Sequence, residues 1–124
     1  MPKYGYEHIH IISADPEKTA EFYIKNLGAK KIEVAKVGPG TMVRLDLKGT
    51  LFVITSPREQ PANYGLDHFG LTTDDLEASA KELKAAGCKF TMEPTEFLPG
   101  VRIAFFKTPE DVLIELVERK VKKG

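Results

Sequence analysis

Histidines at positions 8, 10 and 68 are the side chains of this chain that best suit proton transfer near neutral pH. An unperturbed imidazole titrates near about pH 6.5, so it can both accept and release a proton there. His8 and His10 alternate with Ile9 and Ile11, which is the period of two of a β-strand. The pattern predicts a strand with one apolar face and one face that carries two imidazoles.

The same sorting by alternation places further polar groups on faces that do not pack against helices. They are His68, Arg44, Asp46, Arg102 and Glu115. A simple solvated face would be dominated by lysine, threonine and glutamate, so the collection predicts a binding site. On the seventh predicted strand, Arg102 shares its face with Ala104 and Phe106, which suits an apolar pocket with one cation for a carboxylate or phosphate. Arg44 and Asp46 fit either substrate binding or a plain cross-strand ion pair.

Two segments with helical spacing must position these strands. Asp15 and Pro16 are typical of a helix start, and Gly28 of a helix end. The second helix is predicted to begin at Asp74 or Asp75 and to stop at Gly87. Strands are predicted at about 5–13, 30–37, 41–47, 50–56, 65–73, 88–92, 100–107 and 111–118. The segment 93–100 is predicted to be a hairpin connection, with a lid as the alternative.

The order βαβββ occurs twice, and the residues themselves repeat. The stretch from His8 to Asp15 matches the stretch from His68 to Asp75, sixty positions later, and a histidine precedes a capping aspartate by seven positions in both. Residues 49–54 match 111–116 with a two-residue slip. We therefore predict one domain over 1–124, with a first module at 1–56, a linker at 57–64 and a second module at 65–124.

Composition excludes several classes of protein. Eighteen basic and eighteen acidic side chains balance, so no net field attracts nucleic acid or an anionic membrane. The longest apolar runs have four residues, too few for a membrane-spanning helix. Cys88 is the single cysteine, which precludes an intrachain disulfide and fits either a reducing, cytoplasmic location or an incidental core residue, and we predict the cytoplasm.

Three stretches resemble the vicinal oxygen chelate superfamily, which comprises glyoxalases, bleomycin-resistance proteins and extradiol dioxygenases. They are residues 8–28, 68–75 and 108–116. The resemblance implies an α+β fold in which two βαβββ modules form a curved, cup-shaped, eight-stranded mixed sheet with helices on its convex face. It further implies a divalent metal held by a histidine from the first strand of each module and by a residue from each last strand.

On that pattern His8, His68 and Glu115 are the implied metal ligands, and the fourth place falls on Val53, which cannot bind a metal. The set resembles the two-histidine, one-carboxylate centres of extradiol dioxygenases and fosfomycin-resistance transferases. It departs from glyoxalase I and methylmalonyl-CoA epimerase. Fe, Mn, Co, Ni or Zn would suit such ligands, with positions left over for substrate oxygens.

The function this implies is lyase or isomerase chemistry of the glyoxalase type, on a small substrate with vicinal oxygens. His10 is the predicted base, with an extra ligand or a pocket wall as alternatives, and Arg102, Arg44 and Phe106 are the predicted substrate contacts. An Fe(II) ring-cleaving dioxygenase is the second hypothesis. A metal-free drug- or metabolite-binding protein is the third. A homodimer is expected from the resemblance, with each cup formed either within one chain or across two.

Overall fold

The computed structural model describes residues 2–120, which contain eight strands and two helices. The strands are β1(Tyr4–Ile12), β2(Lys30–Val37), β3(Gly40–Leu47), β4(Thr50–Thr55), β5(Gly65–Thr73), β6(Lys89–Leu98), β7(Val101–Lys107) and β8(Leu113–Arg119). The helices are α1(Pro16–Leu27) and α2(Leu76–Ala85). The strands belong to a mixed sheet, so the predicted α+β class and the doubled βαβββ order are confirmed. The curvature of the sheet stays a prediction.

The chain divides into two compact units. The N-terminal unit is His8–Asp67, and among the described residues the C-terminal unit combines 2–7 with 68–120. In the N-terminal unit the strands neighbour one another in the order β2-β3-β4-β1, and in the C-terminal unit in the order β5-β8-β7-β6. The pairs β1/β4 and β5/β8 are parallel, and the other pairs within each unit are antiparallel. The same topology therefore occurs twice.

Both helices begin as their sequences predict. The Asp15 carboxylate accepts a hydrogen bond from the Lys18 amide at 3.2 Å, and the Asp75 carboxylate accepts one from the Ala78 amide at 3.1 Å. Each bond satisfies one of the amides that the first turn of a helix leaves unpaired. At the end of α1, Gly28 adopts the left-handed conformation with φ of 77°, which glycine tolerates without steric cost.

Each helix packs on one face of the strands of its own unit. In the N-terminal unit the buried cluster is Ile11, Ala20, Ala29, Val43, Leu45 and Ile54, and Tyr23 packs against it. In the C-terminal unit the cluster is Leu76, Ala104, Phe106, Ile114 and Leu116, with Cys88 at its edge. The opposite faces of the strands are therefore the faces that remain for a site. Within residues 2–120, neither helix is long and apolar enough to cross a membrane.

The predicted connection at 93–100 is mostly strand instead. Strand β6 continues to Leu98 and pairs with β7 through three register shifts, between Phe90 and Met92, Met92 and Thr95, and Glu96 and Leu98. Pro94 interrupts the alternation that signals a strand. A proline is tolerated here because β6 pairs with one neighbour only and the bulge removes the need for its missing N–H.

Candidate metal and active site

His68 and Glu115 come together in the C-terminal unit, on the neighbouring parallel strands β5 and β8. The His68 Nε2 atom lies 3.2 Å from the Glu115 Oε1 atom, and their side chains are 5% and 14% exposed. On β8, Ile114 and Leu116 pack on the helix side, so alternation turns Glu115 to the other face. The carboxylate and the imidazole are thus held away from most of the solvent by strand geometry.

The donor set of this pair fits a metal. Two ligand atoms about 2.1 Å from one ion are separated by about 3.0 to 3.4 Å when the angle between them is octahedral or tetrahedral. The 3.2 Å between His68 and Glu115 falls in this interval. Imidazole and carboxylate together are typical ligands of first-row divalent metals and zinc.

Phe105 also lies against His68, although its role was missed in the sequence. The two ring centroids are 5.1 Å apart and the planes are nearly perpendicular, at 88°. Phe105 is directly opposite Glu115 in the β7/β8 register, so the two residues share a face. The signal that could have found it is the antiparallel pairing of these two strands across the turn at 108–112.

His8 and His10 lie in the N-terminal unit, both on the face of β1 that Ile9 and Ile11 leave to them. His8 is 5% exposed. The two ring centroids are 6.1 Å apart, and one ring nitrogen of each lies within 4.8 Å of the other. The Nε2 atom of His10 is 2.8 Å from the Thr55 hydroxyl oxygen, which fixes the orientation of the ring.

The predicted fourth ligand position is apolar, as the sequence indicates. Val53 is 8% exposed and is aligned with His10 in the parallel pairing of β1 with β4. Within the N-terminal unit, His8 and His10 each offer one ring nitrogen that could bind a metal ion.

Arg44 lies across β4 from His10, because β3 pairs it with Val53. Its Nε atom is 3.6 Å from a carboxylate oxygen of Glu33, its neighbour on β2, and both side chains are about half exposed. The ion pair considered from the sequence therefore forms with Glu33 and not with Asp46. The Asp46 carboxylate instead accepts the Gly49 amide in the turn before β4, at 3.0 Å.

The predicted placement of Arg102 and Phe106 on the face away from the helices is wrong. Arg102 donates to the Glu77 carboxylate of α2 at 2.6 Å, so it lies on the helix side. That hydrogen bond and the neighbouring carboxylates raise the pKa of Arg102. Phe106 is 5% exposed in the helix-side cluster and stacks on Phe90. Strand β7 is apolar on both faces, so alternation alone could not tell which face meets the helix.

The twofold βαβββ arrangement defines a class of folds, and comparison with known proteins identifies the family. Residues 5–116 match the model of the Glyoxalase/Bleomycin resistance protein/Dioxygenase superfamily, and the chain belongs to it.

Curated relatives support the assignment over nearly the full chain. The uncharacterized protein YwkD of Bacillus subtilis is 32% identical over 121 residues, which span 90% of this chain and 94% of that protein. A probable lactoylglutathione lyase of Vibrio cholerae is 29% identical, with 97% and 94% covered. A probable chloroplastic lactoylglutathione lyase of Arabidopsis thaliana is also 29% identical, but the match spans only 35% of it.

Solved structures share the fold at lower identity. A hypothetical protein from Bacillus halodurans superposes with a TM-score of 0.79 at 19% identity, covering 98% of this chain and 99% of that one. Methylmalonyl-CoA epimerase from Mycobacterium tuberculosis superposes with a TM-score of 0.75 at 22% identity, covering 94% and 89%. At these identities the likeness establishes the fold.

Proposed function

We propose that this protein is a divalent-metal-dependent lyase or isomerase of the glyoxalase type that acts on a small substrate with vicinal oxygens. The observation that carries the proposal is the His68–Glu115 pair, because a buried imidazole and carboxylate 3.2 Å apart suit two ligands of one ion. Membership of the superfamily and the lactoylglutathione lyases among the relatives support it.

His8 is the third proposed ligand. It occupies in the first module the place that His68 occupies in the second, and it is buried to nearly the same extent. A divalent ion at this centre would act as a Lewis acid and stabilise an enolate or oxyanion of the substrate.

His10 is the proposed base. It lies on the same face of β1 as His8, and its contact with the Thr55 hydroxyl holds the ring in one orientation. A base must be held within hydrogen-bond reach of the proton that it removes, so this fixed orientation serves the role. Arg44 is the proposed contact for an anionic group of the substrate, since it lies two strands from His10 in the same row.

Metal content tests the proposal first. Protein purified without chelator is expected to contain about one metal ion per chain, and His68→Ala is expected to lose it. Glu118→Gln is the matched control, because Glu118 is a buried carboxylate on the opposite face of the same strand. If neither wild type nor control binds metal, the protein is a metal-free binder and the proposal is wrong.

A substrate screen tests the reaction type. The reconstituted protein is incubated without oxygen with hemithioacetals, acyl-CoA acids and catechols, and then with oxygen while its consumption is recorded. Turnover without oxygen supports the lyase or isomerase. Cleavage of catechols with oxygen uptake would instead assign a ring-cleaving dioxygenase.

We further propose a homodimer, as the resemblance implies, and a cytoplasmic location, as the single cysteine suggests. Sedimentation of the purified protein tests the dimer. Mixed dimers of His8→Ala and His68→Ala chains test how each centre is built. Recovery of activity in the mixture means that the ligands come from two chains, and no recovery means that each centre is formed within one.

A further inference from the structure

In the C-terminal unit, the ring of Phe105 packs against the imidazole of His68, a proposed metal ligand. Its ring centroid lies 5.1 Å from that of His68, with the planes at 88°. Perpendicular packing sets the positive edge of one ring against the negative face of the other, which is a favoured geometry for aromatic pairs. The contact therefore restrains the rotation of the imidazole.

Strand register places the same ring beside the second member of the pair. Phe105 is directly opposite Glu115 in the antiparallel β7/β8 ladder, and residues opposite each other share a face. Phe106, the next residue, turns to the other face and stacks on Phe90 at 5.4 Å. Phe105 and Phe106 therefore lie on opposite faces of β7, and of the two only Phe105 contacts the His68–Glu115 pair.

We propose that Phe105 is a positioning residue, which holds the His68 imidazole at the angle that meets Glu115 and covers the pair against water. For its effect on metal binding this inference rests on the proposed function. Groups that orient a metal-binding histidine commonly act by a hydrogen bond to its second nitrogen. Here a ring contact serves the same purpose.

Leucine substitutions at two positions test the inference. Phe105→Leu is expected to weaken Zn²⁺ binding, measured by calorimetry, by between about threefold and tenfold. Phe90→Leu is the matched control, because it removes a ring of the same unit that packs on the helix side. The control should bind Zn²⁺ within about twofold of wild type. Phe105→Tyr, which keeps the ring, should restore the affinity.

Nuclear magnetic resonance of the metal-free protein gives a second readout. The carbon-bound ring protons of His68 should carry a ring-current shift that Phe105→Leu removes and that Phe90→Leu and Phe105→Tyr keep. If Phe105→Leu does not fold, Phe105→Met replaces it as a variant closer in volume. Unchanged His68 shifts in the folded variant would overturn the inference.

The two readouts separate this inference from the proposed function. If wild type binds no Zn²⁺ but three-bond couplings show that the His68 side chain averages between rotamers in Phe105→Leu and not in Phe105→Tyr, the metal proposal fails and the positioning role stands. If wild type binds Zn²⁺ and Phe105→Leu binds it equally well with unchanged resonances, Phe105 has no positioning role and the metal proposal stands.

Discussion

The N-terminal and C-terminal units share one backbone plan and differ in where they place charge. In the N-terminal unit the Ser13 hydroxyl contacts the Thr19 hydroxyl at 2.6 Å, and in the C-terminal unit Thr73 contacts Ser79 at the same distance, sixty positions later. In both units the first hydroxyl also accepts the amide of the capping aspartate. The helix start is therefore copied down to its hydroxyl pair, with serine and threonine exchanged.

The last strands diverge. Glu115 in the C-terminal unit corresponds to Val53 in the N-terminal unit, and sixty-two positions also relate Glu118 to Ser56. The Glu118 carboxylate accepts the amide of Leu76 at the first position of α2, at 2.8 Å. The corresponding position of α1 is Pro16, which has no amide hydrogen to satisfy. The Glu118 carboxylate thus lies where the start of α2 offers an amide, and the first module, whose helix starts with proline, has Ser56 at the corresponding position.

The largest effect on metal binding is expected from exchanging the residues that differ between the two last strands, Glu115 and Val53. Glu115→Val gives the second module the residue of the first, and it should lower metal affinity by more than about a hundredfold, the upper limit for losing a second-shell partner. Activity should fall with it. Elemental analysis and calorimetry measure the loss, and full metal occupancy in this variant would contradict the assigned ligand.

The reverse exchange, Val53→Glu, places a carboxylate at a site that is 8% exposed. The metal-free variant should be less stable than wild type by about 1 to 3 kcal/mol, because the flanking His10 and Arg44 offset only part of the cost of burying a carboxylate. Addition of metal should recover more stability in this variant than in wild type. Urea unfolding with and without metal measures both effects, and equal recovery would show that Val53 does not face the metal.

Glu118→Ala tests the carboxylate that meets the start of α2. Loss of a hydrogen bond to a charged group should lower the free energy of unfolding by about 2 kcal/mol. Ser56→Ala removes the neutral acceptor of the Thr41 amide at the corresponding place, and should lower it by about 1 kcal/mol. The midpoints of urea unfolding measure both losses of free energy, provided that the slope of the free energy with urea concentration is unchanged. Equal losses would mean that the charge of Glu118 does not strengthen its hydrogen bond.

The smallest effects on stability are expected at the helix caps, which the two units share. Asp15→Ala and Asp75→Ala should each lower the free energy of unfolding by about 1 kcal/mol, since each removes one helix cap. The two losses should agree with each other. A marked inequality in thermal unfolding would mean that the copied helix starts are not energetically equivalent.

Local signals predicted the helices well. The residues that begin and end a helix contact residues close to them in the sequence, so their effect can be deduced from spacing. They are Asp15, Pro16, Gly28 and Asp75. Alternation also sorted β1 and β3 correctly, since the polar residues of each strand lie on one face and the apolar residues that cover a helix lie on the other.

Strand β7 shows where such inference ends. Ile103 and Phe106 lie on opposite faces and are both buried, so the hydrophobic pattern carries no direction. Register with β8 decides the faces, and register depends on the turn at 108–112 and on bulges that single residues do not announce. The same cause hid the contact between Phe105 and His68.

The bulges of the outermost strands have a consequence beyond the site. Both β2 and β6 pair with a single neighbour and both contain register shifts, and Pro94 removes one amide from β6. A flat strand with a full row of unpaired amides is a template on which other chains add, and irregular edges oppose that growth. The register shifts that made residues 93–98 hard to recognise as a strand are therefore also features that oppose fibrillar growth at this edge.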